Sequence, residues 1–283
     1  MSADRQPSPR LSDPQRLREI AHALRLKVID MIAPSGHGYV QQGLGAADIF
    51  ATLYFAELRL DPSDPAWAER DRCLLSTAHN TAIFYATLAA RGFIADEALS
   101  SYTRDGSPLE VNASERLGPM IEATCGSLGQ GLSVAVGMAL ALRRRRSDAR
   151  VYVVLGDGEM QEGQVWEAAM AAGSHKLANL CVVLDDNRMQ VAGHVDSVLD
   201  MKPVDGKWLS FGFRVEEIDG NDVEALLGAL ARARAYEAGP TCILARTLVG
   251  KGAPSLEGVL GHTMRLPPDL AARARQELLE SAP

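Results

Sequence analysis

Residues 151–163 read Val151-Tyr152-Val153-Val154-Leu155-Gly156-Asp157-Gly158-Glu159-Met160-Gln161-Glu162-Gly163. An apolar run leads straight into a Gly-Asp-Gly turn. About thirty residues on, a second apolar run, Leu180-Cys181-Val182-Val183-Leu184, ends in Asp185-Asp186-Asn187. Short apolar runs without polar alternation read as strands buried on both faces. In open parallel sheets, ligands sit beyond the carboxyl ends of the strands. Here those ends carry Asp157 and Asn187, two hard oxygen donors suited to Mg²⁺ or Ca²⁺. Gly156 and Gly158 leave room for a bulky group against the backbone. The helix expected after Gly163 offers free N–H groups and a positive dipole end. Taken alone, Gly-Asp-Gly is an ordinary turn. Joined to Gly163, a helix, a strand and Asn187, the spacing points to a metal-bridged diphosphate site.

The same alternation extends along the chain. Strand-like runs occupy residues 72–76, 151–155, 180–184, 213–218 and 241–245. Helical spacing of apolar residues covers 14–32, 46–58, 81–90, 128–145, 165–177 and 223–235. Asp13 and Pro14 supply an N-cap and a first-turn proline for the first of these helices. Such alternation predicts an α/β fold, a doubly wound and mostly parallel sheet flanked by helices. Residues 1–13 are polar and rich in proline and serine, and are expected to form a disordered tail. Residues 14–283 read as one domain, with a C-terminal extension from about residue 247.

Composition narrows the function. Apolar residues make up 47% of the 283 residues, enough for a large core. Acids exceed bases by 36 to 29, a balance that argues against a nucleic-acid binder. The four cysteines, Cys73, Cys125, Cys181 and Cys242, form no CxxC pair, which suits a reducing compartment. No apolar run approaches the length of a membrane span, and residues 1–14 lack the apolar core of a secretory signal. A cytoplasmic protein is expected.

Several further segments, in one order, resemble the diphosphate-binding half of transketolases. Ser35-Gly36-His37-Gly38, Leu75-Ser76-Thr77-Ala78-His79 and Gly126-Ser127-Leu128-Gly129-Gln130-Gly131 each match a motif of that family. So do Asp185-Asp186-Asn187-Arg188-Met189-Gln190-Val191, Val249-Gly250-Lys251-Gly252 and Gly261-His262. The resemblance runs from about residue 15 to the C-terminus and implies thiamin diphosphate with Mg²⁺ (or Ca²⁺). It implies that Asp157, Asn187 and the Met189 carbonyl hold the metal. His79, Gly158, Asn187 and His262 would contact the diphosphate, with Gly156 beside it. Gly126, Ser127 and Leu128 would pass close to the cofactor, with Leu128 and Val191 on its thiazolium ring. His37 and His262 would handle substrate hydroxyl protons, and Glu162 matches an acid at the subunit interface. The implied reaction transfers a two-carbon glycolaldehyde unit from a ketose or ketose phosphate to an aldehyde.

Two departures qualify the match. Asn112 stands where the family has a donor-sugar histidine; it can hydrogen-bond but cannot carry a proton. A full transketolase chain is more than twice this length and includes a pyrimidine-binding domain. The resemblance therefore implies a separately encoded partner subunit carrying that domain, in an α₂β₂ heterotetramer with a large apolar interface. Two rival readings are an α subunit of a 2-oxo acid dehydrogenase and a non-catalytic scaffold subunit. The histidine and Leu-Gly-Gln-Gly matches weigh against the first, and the Asp157 and Asn187 pair against the second. His22, His175 and His194 read as surface or helix-end residues, and the arginines 143–146 as a solvated helix end.

Overall fold

The computed structural model describes residues 10–124, 126–259 and 265–283. Helix α1 (Pro14–Ile32) starts where Asp13 accepts a hydrogen bond from Gln15 N at 3.0 Å. Its buried stripe includes Leu17, Ala21, Leu24 and Val28. The sequence suggests a single helix from residue 46 to 58. Instead α3 (Ala47–Thr52) and a π turn (Leu53–Glu57) fill that span, and a short α2 (Val40–Gly45) precedes it. Glycine at the end of α2 has a steric reason: a Cβ at Gly45 would lie 2.9 Å from the Leu248 carbonyl oxygen. The backbone of the C-terminal segment packs directly on this glycine.

Strand β1 (Arg72–Leu75) is followed by α4 (Thr81–Ala90) and α5 (Gln130–Arg144). Strand β2 (Val151–Gly156) leads to α6 (Gly163–Ser174), and β3 (Leu180–Asp186) to a hairpin of β4 (Met189–Gln190) and β5 (Gly193–His194). Then come α7 (Val195–Val198), α8 (Val204–Ser210), β6 (Arg214–Asp219), α9 (Val223–Ala235), β7 (Thr241–Arg246) and α10 (Pro268–Glu280). The five long strands form one parallel sheet in the order β1-β2-β3-β7-β6.

Side chains that alternate along these strands feed two cores, one on each face. Tyr152, Val154, Cys181, Val183 and Ile243 join α1, α3, α4, α9 and α10 on one side. Val151, Val153, Leu155, Val182, Leu184 and Leu244 join α5, α6 and Trp208 of α8 on the other. The outcome is three layers, helix–sheet–helix, as the strand-helix alternation implies. Near the start of the described chain, Leu11 N donates to Phe55 O at 2.8 Å; the rest of the expected tail, residues 1–9, lies outside the described residues. No helix among the described residues is long and apolar enough to cross a membrane.

Candidate active site

Three neighbouring strand ends build one pocket. Residues 76–80 leave β1, 156–162 leave β2 and 185–191 leave β3. Together they bound a cavity of about 150 Å³. His79, Asp157, Asn187, Met189 and Val191 line it, with Leu128 from the turn before α5 and Gln42 from α2. This is the carboxyl edge of the sheet, where open α/β folds place ligands.

Asp157 is 2% exposed. Its Oδ1 accepts from Gly158 N at 2.8 Å and its Oδ2 from Arg188 N at 2.6 Å. Burial, and then the charges of Asp185 and Asp186, hold its carboxyl well above the usual carboxylate range. Asp185 is buried too, and its oxygens are occupied. Oδ2 accepts from Asn80 Nδ2 at 3.0 Å and Asn187 Nδ2 at 3.4 Å, and Oδ1 accepts from the Thr247 hydroxyl. By taking Asn187 Nδ2, Asp185 fixes which way that amide faces. Asn187 Oδ1 in turn accepts from Met189 N at 3.0 Å.

Burial raises the carboxyls of Asp185 and Asp186 as well. Three carboxylates at adjacent strand ends concentrate negative charge of the kind a divalent cation relieves. Among the described residues, no three His, Cys, Asp or Glu side chains are grouped as metal ligands. The candidate donors here are of another kind: one carboxylate, one amide oxygen and one backbone carbonyl. All are hard oxygens, which suits Mg²⁺ or Ca²⁺.

The two glycines of the turn have different reasons. A Cβ at Gly156 would meet Thr77 Oγ1 at 3.5 Å, an ordinary contact, so protein packing does not demand glycine there. At Gly158 a Cβ would lie 2.8 Å from Gln190 Cβ, so this glycine admits the β4–β5 hairpin as well as leaving space. Nor does α6 follow the turn directly. A 3₁₀ turn (Gly158–Gln161) comes first, and Glu162 then serves as the N-cap residue of α6.

The other sequence-predicted residues divide by position. His79 lines the pocket, its Nδ1 3.1 Å from Thr77 Oγ1 and its ring edge-on to Tyr39 at 4.7 Å. Val191 lines it while 72% exposed, and Glu162 lines it from an exposed position. Gly126, with φ 119°, and the exposed Ser127 precede Leu128 but are outside the cavity lining. Asn112 abuts this segment: a Cβ on Gly126 would lie 2.8 Å from its Nδ2. His37 is exposed and outside the lining, and its backbone bridges to Arg265. His262 lies outside the described residues.

This arrangement has known counterparts. The family described as the transketolase thiamine diphosphate binding domain matches residues 17–278. The chain belongs to this family. A 6-deoxy-6-sulfo-D-fructose transketolase subunit of Clostridium sp. strain MSTE9 is 38% identical over 93% of this chain and 96% of its own length. One of the apulose-4-phosphate transketolase subunits, from Actinobacillus succinogenes, is 36% identical over 86% of this chain and 88% of its own length. The crystal structure of a transketolase from Campylobacter jejuni superposes with a TM-score of 0.88 at 30% identity, over 94% of this chain and 43% of that one. The chain thus spans nearly the whole of the subunit-type relatives and less than half of a full-length transketolase. It is a transketolase chain of the N-terminal type.

Within this transketolase pocket, several residues escape a reading of motifs. Glu159 is 2% exposed and accepts from the Ser76 hydroxyl, Gly129 N and Gly156 N. Asn80 and Asp185 hold Asn187 from behind, and Gln42 arrives from α2. Gln42 carried no signal in the sequence, because its place in the pocket depends on how α2 packs. Asp185 did carry one: an acid closing an apolar strand beside Asn187 had to be buried, and a buried carboxylate needs donors.

Proposed function

We propose that this chain binds thiamin diphosphate through Mg²⁺ and acts with a separately encoded pyrimidine-domain subunit. The pair transfers a two-carbon glycolaldehyde unit from a ketose or ketose phosphate to an aldehyde acceptor. One observation carries this reading: Asp157, Asn187 and Met189 meet His79, Leu128 and Val191 around one pocket at three strand ends.

When bound, thiamin diphosphate supplies the stabilised carbanion that breaks and remakes a carbon–carbon bond. The share of this chain is binding and orientation. Asp157, the Asn187 amide oxygen and the Met189 carbonyl hold the cation, and Asp185 keeps the Asn187 amide turned correctly. Gly156, Gly158, His79 and His262 receive the diphosphate. Gly126, Ser127, Leu128 and Val191 flank the ring. His37 and His262 move protons at substrate hydroxyls. Asn112 offers a hydrogen bond to the donor sugar but no proton.

Glu162 and Val191 face the partner subunit. A strongly exposed valine at the mouth of a pocket suits a surface that another chain covers. The assembly we propose is an α₂β₂ heterotetramer. The burial of Cys73, Cys181 and Cys242 as free thiols supports a cytoplasmic location. The names of the relatives guide the substrate: one is a sulfo-sugar transketolase subunit and the other a sugar-phosphate one. Both point to a donor with an anionic group at its far end.

The test is a transfer assay on the co-expressed pair, with Mg²⁺, thiamin diphosphate, and ketose phosphates or sulfo-ketoses as donors. Donor cleavage with appearance of an acceptor extended by two carbons is the expected result. Decarboxylation of 2-oxo acids in its place would overturn the reading.

A further inference from the structure

Burying a carboxylate is costly unless strong donors satisfy it. Glu159 is nearly inaccessible, and its hydrogen-bond partners are neutral. The Ser76 hydroxyl and Gly129 N, the latter at 2.8 Å, converge on Oε1. Gly156 N reaches Oε2 at 3.1 Å. Burial raises this carboxyl, and the three donors pull it back down.

These donors come from three separate segments. Ser76 directly follows β1 and precedes Thr77 and His79. Gly129 is the N-cap of α5 and follows Leu128. Gly156 ends β2 and precedes Asp157. Each donor is therefore next to a residue that lines the pocket. The junction has no slack: a Cβ on Gly131 would lie 2.3 Å from Ser76 Oγ. The first turn of α5 thus rests on the end of β1, with Glu159 bonding both.

We infer that Glu159 is a positioning residue, whose single carboxylate clamps the ends of β1 and β2 and the start of α5 together. The clamp sets the spacing between His79, Leu128 and Asp157 across the pocket. Its role rests on the thiamin diphosphate reading given above. Glutamine cannot replace it fully, because its NH₂ must face either Gly156 N–H or the Ser76 and Gly129 donors, a donor against a donor. Aspartate is one methylene too short to reach all three.

The experiment titrates thiamin diphosphate with Mg²⁺ calorimetrically into the complex of the full chain and its partner. Wild type, Glu159→Gln, Ser76→Ala and the double variant are compared, and each cofactor-free complex is also melted. We expect Glu159→Gln to raise the cofactor Kd about tenfold, in line with the loss of one buried hydrogen bond to a charged group, and Ser76→Ala about threefold, since the Gly129 and Gly156 bonds to the carboxylate remain. We also expect Ser76→Ala to cost less in the Glu159→Gln background than in wild type, because the two share one interaction. If Glu159→Gln does not fold, Ser76→Ala decides alone. A wild-type complex that binds the cofactor while both variants bind it equally well, with only their melting temperatures lowered, overturns the clamp. No binding by the wild-type complex overturns the cofactor reading, and the clamp with it.

Discussion

Asp157 sits in a field hostile to its own charge. It is buried beside Asp185 and Asp186, and the N–H groups of Gly158 and Arg188 donate to it. A bound cation would reverse that balance, so Asp157→Asn should act in opposite directions on the two states. Without cofactor, the neutral amide should leave the melting temperature unchanged or higher, since like-charge repulsion is removed. With Mg²⁺, thiamin diphosphate binding by the complex should weaken about thirtyfold or more, through loss of a charged ligand. Melting and calorimetry on the same samples check both halves. Gly158→Ala should also weaken cofactor binding, because its Cβ would push on Gln190 and displace the hairpin that carries Met189. Asp157, Asn187 and His79 were legible in the sequence because each lies in a contiguous motif at a strand end. Glu159 and Asn80 lie in the same segments. Their partners, Gly129, Ser76 and Asp185, are distant in sequence, so their roles depend on which loops the fold brings together.

Four of the five long strands were legible because burial leaves short apolar runs with no competing helical pattern, while the edge strand β6 is charged and half-exposed. Their starts and order of use fell close to expectation, from Arg72 in β1 to Thr241 in β7. What local pattern could not supply was the short α2, where a distant carbonyl packs on Gly45, and the hairpin β4–β5, too short for periodicity to register. Packing between elements is as tight elsewhere. In α6, a Cβ on Gly173 would lie 1.6 Å from the Phe211 carbonyl oxygen, at the turn after α8. Gly173→Ala should therefore destabilise the chain by about 3 kcal/mol, despite alanine's better helix propensity. Urea unfolding of the variant measures this, and a more stable variant would mean that α6 and α8 do not meet as described.

Across the whole molecule, three helix–sheet–helix layers enclose Cys73, Cys181 and Cys242. Burial pushes the thiols of Cys73 and Cys181 up to about 12, and that of Cys242 well above its usual range. A raised thiol pKa keeps the unreactive protonated form at neutral pH, and access is closed as well. Iodoacetamide at pH 8 should leave these three cysteines unmodified in the native protein and label all three once it is unfolded. Peptide mapping reads out each site. The same layers leave the carboxyl ends of β1, β2 and β3 bounding the pocket. On the proposed function, this carboxyl edge holds a metal-bridged diphosphate. The most direct measurement is a crystal structure of the chain with its partner, grown with thiamin diphosphate and Mg²⁺. Such a crystal is expected to show a cation ligated by Asp157, Asn187 and the Met189 carbonyl, with the diphosphate beside His79 and Gly158. A cofactor bound elsewhere, or a cation that these three residues do not touch, would contradict the proposed function.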